Sequence, residues 1–200
     1  MEVNHSAVPV KVVVIGPEST GKSTLCNDLA LHYHTLWCPE FARDYLARHG
    51  KKYAYADLLE IARGQVALEN EYILKWQHEM AAGRGKAEMP PLFIDTNMYV
   101  MKVWCEYVFG NCHQWIIDQI VERDYDLYLL CDVDLPWVKD DLREYPDLKS
   151  RKELFEMYKD AMANQPVPWK IISGTNEERL RAAIHAVDNS RQSISSGTLL

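Results

Sequence analysis

The sequence predicts an α/β fold in three layers, a five-stranded parallel sheet with helices on both faces and a helical lid. Three observations predict it. Short apolar runs recur at 10–15, 35–38, 92–96, 125–131 and 168–172. They are continuous rather than alternating, as strands buried on both faces of a parallel sheet must be. Segments of helical period separate them. The turn between the first strand and the first helix is Gly16-Pro17-Glu18-Ser19-Thr20-Gly21-Lys22-Ser23-Thr24.

That turn matches G-x-x-x-x-G-K-[ST] in the strand–turn–helix context the phosphate-binding loop requires. Gly16 and Gly21 permit a tight curl that aims successive N–H groups at an anion. The following helix adds unsatisfied N–H groups and the positive end of its dipole. The ATP-contacting set is therefore Gly16, Glu18, Ser19, Thr20, Gly21, Lys22, Ser23 and Thr24. Lys22 reaches for the β- and γ-phosphates, and the Ser23 hydroxyl for Mg²⁺. The fold thereby narrows to a P-loop NTPase of the nucleotide or nucleoside kinase type, with ATP and Mg²⁺ as the implied cofactors.

Two hundred residues suit one domain with a sizeable core, and 48% hydrophobic with 26% charged residues is ordinary for a soluble chain. A net charge of −7 argues against a nucleic-acid or anionic-membrane partner, although it leaves room for a local phosphate pocket. The apolar stretch at 8–15 is broken by Lys11 and is too short to span a membrane, and it lacks a cleavage-site pattern. The cysteines at 26, 38, 105, 112 and 131 are odd in number and form no C-x-x-C pair, which suits reduced thiols in the cytoplasm. Cys112-His113 has no partners at zinc-ligand spacing.

Along the chain, residues 1–9 are expected as a loose lead-in, 10–187 as the domain, and 188–200 as a flexible Ser-rich tail. The first helix should run to about His34 with Leu25, Leu29 and Leu31 facing the core. Pro39-Glu40 closes the second strand, and 41–48 reads as a helix stopped at Gly50. Side chains leaving the carboxyl end of a parallel strand stand over the ligand crevice. Glu40, Arg43 and Asp44 are for that reason candidate substrate contacts. A long helix over 56–82 tolerates Gly64, its aromatic stripe reads as core, and Gly83-Arg84-Gly85-Lys86 is a loop.

The strand at 92–96 ends in Asp95, about seventy residues beyond the P-loop, the shape of a Walker B element holding Mg²⁺ together with Ser23. Helices over 97–109 and 113–123 follow, then the strand ending at Cys131. The charged segment at about 136–152, carrying Arg143 and Arg151, stands where a lid closes over transferring phosphate. After the last strand, Gly174-Thr175 forms a turn placed to meet the adenine ring, leading into a helix over 177–187.

Taken together, the P-loop, Pro39-Glu-Phe-Ala-Arg-Asp-Tyr-Leu, Phe93-Ile-Asp-Thr-Asn and Pro136-Trp-Val-Lys-Asp-Asp-Leu-Arg resemble the ribosylnicotinamide kinase domain of NadR-type proteins. The resemblance covers about residues 10–187. It implies transfer of the γ-phosphoryl of ATP to the 5′-hydroxyl of nicotinamide riboside. In that family an adenylyltransferase domain, and in some members a repressor domain, precedes the kinase. With fifteen residues ahead of Gly16, the expectation here is the kinase activity alone.

On this resemblance Lys22, Arg143 and Arg151 carry phosphate charge, and Asp95 or Glu40 accepts the proton of the acceptor hydroxyl. Glu40, Arg43, Asp44 and Asn97 are positioned to bond ribose hydroxyls, and Trp104 or Trp137 to supply an aromatic face for the cationic ring. A kinase for another small nucleoside or nucleotide is the alternative on the same scaffold. An ATP-hydrolysing switch is the alternative of another class, although no guanine-reading N-K-x-D motif is present.

Overall fold

The computed structural model describes residues 8–83 and 89–195. Five parallel strands, β1 (Lys11–Ile15), β2 (Trp37–Cys38), β3 (Leu92–Asp95), β4 (Leu127–Cys131) and β5 (Trp169–Ile172), form one sheet in the order β2-β3-β1-β4-β5. Seven helices connect and cover them among the described residues: α1 (Lys22–Tyr33), α2 (Phe41–His49), α3 (Tyr55–Ala81), α4 (Met98–Phe109), α5 (Gln114–Glu122), α6 (Leu148–Ala163) and α7 (Asn176–Ser195). None of them is long and apolar enough to cross a membrane.

The period of two along β1 explains the layering. Val12 and Val14 join Leu25, Leu29, Ala183 and Val187 in a core under α1 and α7. Val13 and Ile15 point the other way, into a core with Trp76, Val100, Val103, Leu154, Phe155 and Met162 from α3, α4 and α6. With both faces covered, the strands have no polar side to show, hence their unbroken apolar runs. A smaller cluster beside the sheet unites α2 to α5 through Ala42, Leu58, Ile61, Met101, Cys105 and Ile116. Near the amino end of β4, buried Glu69 of α3 accepts from the Tyr125 hydroxyl (2.9 Å) and pairs with Arg123 (2.7 Å), which locks the long helix to the sheet.

Several sequence expectations need correction. Leu31 is 66% exposed, because the inward face of α1 is set by Leu25, Cys26 and Leu29. The expected flexible tail from 188 does not hold to 195: α7 continues to Ser195. Long-range contacts carry it there, with the Tyr33 hydroxyl donating to Asp188 (2.7 Å) and the Arg191 guanidinium 5.9 Å from the Tyr33 ring. Residues 1–7, 84–88 and 196–200, parts of the expected lead-in, loop and tail, lie outside the described residues. Gly64 is more than tolerated. A β-carbon there would lie 2.1 Å from Cε1 of Phe41, so its absence is what lets α2 sit against α3.

Candidate active site

The strand order places the end of β1 between the ends of β3 and β4, the switch point at which open α/β sheets bind ligands. The loop leaving β1 is packed tightly. Gly16 has φ +139° and a β-carbon on it would meet the Cys131 carbonyl oxygen at 2.8 Å, so only glycine fits beside β4. Ser19 and Gly21 also hold positive φ. Thr20, fully buried, donates to the Pro17 carbonyl (2.7 Å), and Lys22 Nζ donates to the same oxygen (2.9 Å).

Register then delivers the second element. Asp95 sits opposite Val14, one residue short of the end of β1, so its carboxylate reaches the first turn of α1. The Ser23 hydroxyl donates to Asp95 Oδ2 (2.5 Å), while Oδ1, fully buried, has no hydrogen-bond partner among the described residues. Burial and the nearby Glu40 charge push the Asp95 carboxyl up to about 6, against the opposing pull of Lys22, Ser23 and Arg43. A buried carboxylate oxygen lacking a donor beside a serine hydroxyl fits a hard divalent cation such as Mg²⁺. Among the described residues no cluster of three His, Cys, Asp or Glu is present, and a Mg²⁺ completed by phosphates and water does not require one. Directly after Asp95, Thr96 holds φ +76°, a strained conformation for a β-branched residue, and its buried hydroxyl has no partner among the described residues.

A cavity of about 340 Å³ opens from the P-loop toward α2, α4 and α6. Gly16 to Thr24 form one end. Glu40, Arg43, Trp104, Tyr107, Tyr145 and Tyr158 line the remainder with Asp140, Arg143 and Glu144. Glu40 occupies the N-cap of α2 but makes no capping bond there. Buried Gln65 does it instead, accepting from Phe41 N (2.7 Å), which leaves the Glu40 carboxylate without a hydrogen bond among the described residues and facing the cavity.

The lid segment leaves β4 as irregular backbone and becomes helical only at Leu148, where Asp147 caps α6 by accepting from Ser150 N (2.7 Å). It lies down on the P-loop. Arg143 donates to Ser19 Oγ (3.3 Å), and Asp140 pairs with Arg43 (2.9 Å), so the lid also touches α2.

The structure therefore brings Lys22, Ser23, Glu40, Arg43, Trp104 and Arg143 together around one space, with Asp95 behind Ser23. It does not do the same for other candidates. Asn97 is 1% exposed and serves as the N-cap of α4, its Oδ1 accepting from Tyr99 N (3.1 Å) and its Nδ2 donating to Tyr128 (3.2 Å). Asp44 faces solvent beside Arg48, because the outer face of α2 points away from the cavity. Trp137 does not line the cavity, since its indole N–H is turned to Glu18 (3.2 Å). Arg151 is buried and donates to the carbonyls of Ser19 (3.3 Å) and Leu135 (3.2 Å), which makes it a brace of the P-loop rather than a descending lid cation. Gly174 and Thr175 are off the cavity as well, their N–H groups taken by Asp134 (2.6 Å) and Glu178 (2.7 Å).

Sequence reasoning missed Tyr107, Tyr145, Tyr158 and Arg179. Val100, Trp104 and Tyr107 fall at helical spacing, so the signal for Tyr107 was present. Arg179, 3% exposed, gathers the carbonyls of Gly174 (3.0 Å), Thr20 (3.1 Å) and Asp132 (3.0 Å) and the Asp134 carboxylate. No local pattern marks that role.

A family model described as an AAA domain matches residues 11–179. The trifunctional NAD biosynthesis/regulator protein NadR of Escherichia coli is 34% identical over 146 residues, 71% of this chain and 33% of that protein. Its Salmonella typhimurium counterpart is 33% identical over 157 residues, 74% of this chain and 35% of that protein. The chain thus spans about a third of the length of these curated relatives. A solved NadR protein in complex with NR aligns with TM-score 0.72 at 22% identity, over 92% of this chain and 50% of that one. Thymidylate kinase from Ehrlichia chaffeensis aligns at 0.61 and 14% identity, over 91% of this chain and all of that one. These two structures establish the fold as that of P-loop kinases.

Proposed function

The chain belongs to the AAA domain family, and on that premise we propose that it is an ATP-dependent kinase acting on the 5′-hydroxyl of nicotinamide riboside to give nicotinamide mononucleotide. One observation carries the reading: a single cavity joins the phosphate nest to a pocket walled by Trp104, Tyr107, Tyr145 and Tyr158. Aromatic faces with the Glu40 carboxylate beside them suit a planar cation. The identity to NadR over most of the chain, and the NR bound to one solved relative, support the same acceptor.

Phosphoryl transfer asks little covalent chemistry of a protein, so positioning and charge carry the catalysis. Lys22 turns from Pro17 to the phosphates, and Arg143 adds a second cation from the lid. Ser23 and Asp95 would hold Mg²⁺, which when bound neutralises phosphate charge. Glu40 is the better candidate for the base, because it lines the cavity without a hydrogen bond among the described residues whereas Asp95 is engaged by Ser23. It orients the acceptor hydroxyl and takes its proton as the bond to phosphorus forms. A cytoplasmic setting suits this reading, with Cys26, Cys38, Cys105 and Cys131 buried as free thiols.

The test is ADP release from ATP and Mg²⁺ with and without added nucleosides. Strong stimulation by nicotinamide riboside is the expected outcome. Equal turnover in every condition would instead identify an ATP-hydrolysing switch, and stimulation by another nucleoside would keep the chemistry and discard the acceptor.

A further inference from the structure

We propose that Glu18, the P-loop residue whose carboxylate takes donors from the lid, is the positioning residue that latches the lid and through it shapes the acceptor pocket. This inference rests on the kinase reading for its acceptor. Its structural half stands independently.

The carboxylate of Glu18 gathers three donors from the lid. Oε1 accepts from Tyr145 N (2.6 Å) and from the Trp137 indole (3.2 Å), and Oε2 accepts from Glu144 N (2.8 Å). Two successive main-chain N–H groups on the two oxygens of one carboxylate form a charge-assisted clasp with defined direction. The neighbouring Ser19 hydroxyl accepts from Val138 N (3.0 Å) and Arg143 (3.3 Å). Both ends of the segment 137–145 are consequently fixed to two adjacent P-loop residues.

Two of the clasped residues, Glu144 and Tyr145, line the acceptor pocket. Tyr145 packs edge-on against Tyr107, with ring centres 5.3 Å apart. The Glu144 carboxylate accepts from the Tyr53 hydroxyl (2.8 Å), and that hydroxyl accepts from the Trp104 indole (2.9 Å). Tyr53 also meets the Trp104 ring edge-on at 5.0 Å. A continuous chain therefore runs from Glu18 through Glu144 and Tyr53 to Trp104, and a second runs through Tyr145 to Tyr107.

Hydrogen exchange in the full chain without ligand tests the clasp, and steady-state kinetics test its consequence. In Glu18→Ala, amides of 137–145 should exchange at least about tenfold faster while β1 and β4 stay as protected as in wild type. The KM for nicotinamide riboside should rise at least about tenfold and the KM for ATP by much less. Glu18→Gln, which keeps one acceptor oxygen, should fall between the two. Tyr53→Phe, which removes only the side-chain bonds of that hydroxyl to Glu144 and Trp104, should raise the acceptor KM while changing exchange of 137–145 far less than Glu18→Ala does. Unchanged exchange in Glu18→Ala overturns the latch, and so does a rise in the ATP KM equal to that for the riboside. An unchanged acceptor KM in Tyr53→Phe overturns the chain to Trp104. If the wild type fails to phosphorylate the riboside, the kinase reading falls while the exchange result still decides the latch.

Discussion

Asp95 illustrates how one residue's chemistry follows from its place in a register. Opposite Val14 and fully buried, it has one oxygen bonded to Ser23 and the other without a hydrogen bond among the described residues. Substituting Asp95→Asn keeps the size and the Ser23 contact but removes the charge. Turnover should then fall about a hundredfold or more at every Mg²⁺ concentration, and a near-wild-type rate would remove Asp95 from the site. Arg143 reaches the P-loop through Ser19 from a lid that covers the cavity. In Arg143→Ala, kcat should fall at least about a hundredfold while the KM for ATP changes much less, as for a cation that acts on transition-state charge. A kcat equal to wild type would contradict that. The sequence singled out these two residues because Asp95 ends an apolar strand and Arg143 lies in the charged segment that follows β4. It misplaced Asn97 and Trp137 because a cap and a lid contact depend on local backbone direction, which spacing does not reveal.

The secondary elements were legible almost throughout, and the reason is their burial. Strands covered on both faces leave unbroken apolar runs, and amphipathic helices leave a 3.6 period. Where an element was misjudged, a long-range contact had decided it. Helix α7 continues past Val187 because Asp188 and Arg191 meet Tyr33 of α1, a fact absent from its own Ser- and Asn-rich sequence. Gly64 shows the same limit from the opposite side. Helix propensity alone says that Gly64→Ala should stabilise α3 by about 1 kcal/mol. The Phe41 ring, 2.1 Å from the new methyl, says otherwise, since overpacking of this kind costs about 1–3 kcal/mol. The variant should melt below wild type, and trimming the ring with Phe41→Leu should recover much of the loss. A melting temperature at or above wild type would show that α2 yields freely.

At the scale of the whole molecule, the sheet order brings three loop ends to one edge, and Arg179 ties them. Its guanidinium joins the P-loop at Thr20, the exit of β4 at Asp132 and Asp134, and the exit of β5 at Gly174. Arg179→Met should cost about 2–4 kcal/mol, because buried carbonyls lose their donors, and should weaken ATP binding as the loop loosens. A urea midpoint equal to wild type would contradict the brace. No periodicity announces such a residue, because its partners come from three separate segments. The aromatic pocket is likewise a product of tertiary assembly, with walls from α4, α6 and the lid meeting only once the sheet has formed.

Which acceptor receives the phosphoryl group decides among these readings. The most direct measurement is to offer ATP and Mg²⁺ with an equimolar mixture of nicotinamide riboside, uridine, cytidine, thymidine and thymidine monophosphate, and to identify the phosphorylated product by mass spectrometry. Nicotinamide mononucleotide as the dominant product, with the other acceptors recovered unchanged, is the predicted result. A different phosphorylated species in its place, or ADP formed with no phosphorylated acceptor, would contradict it.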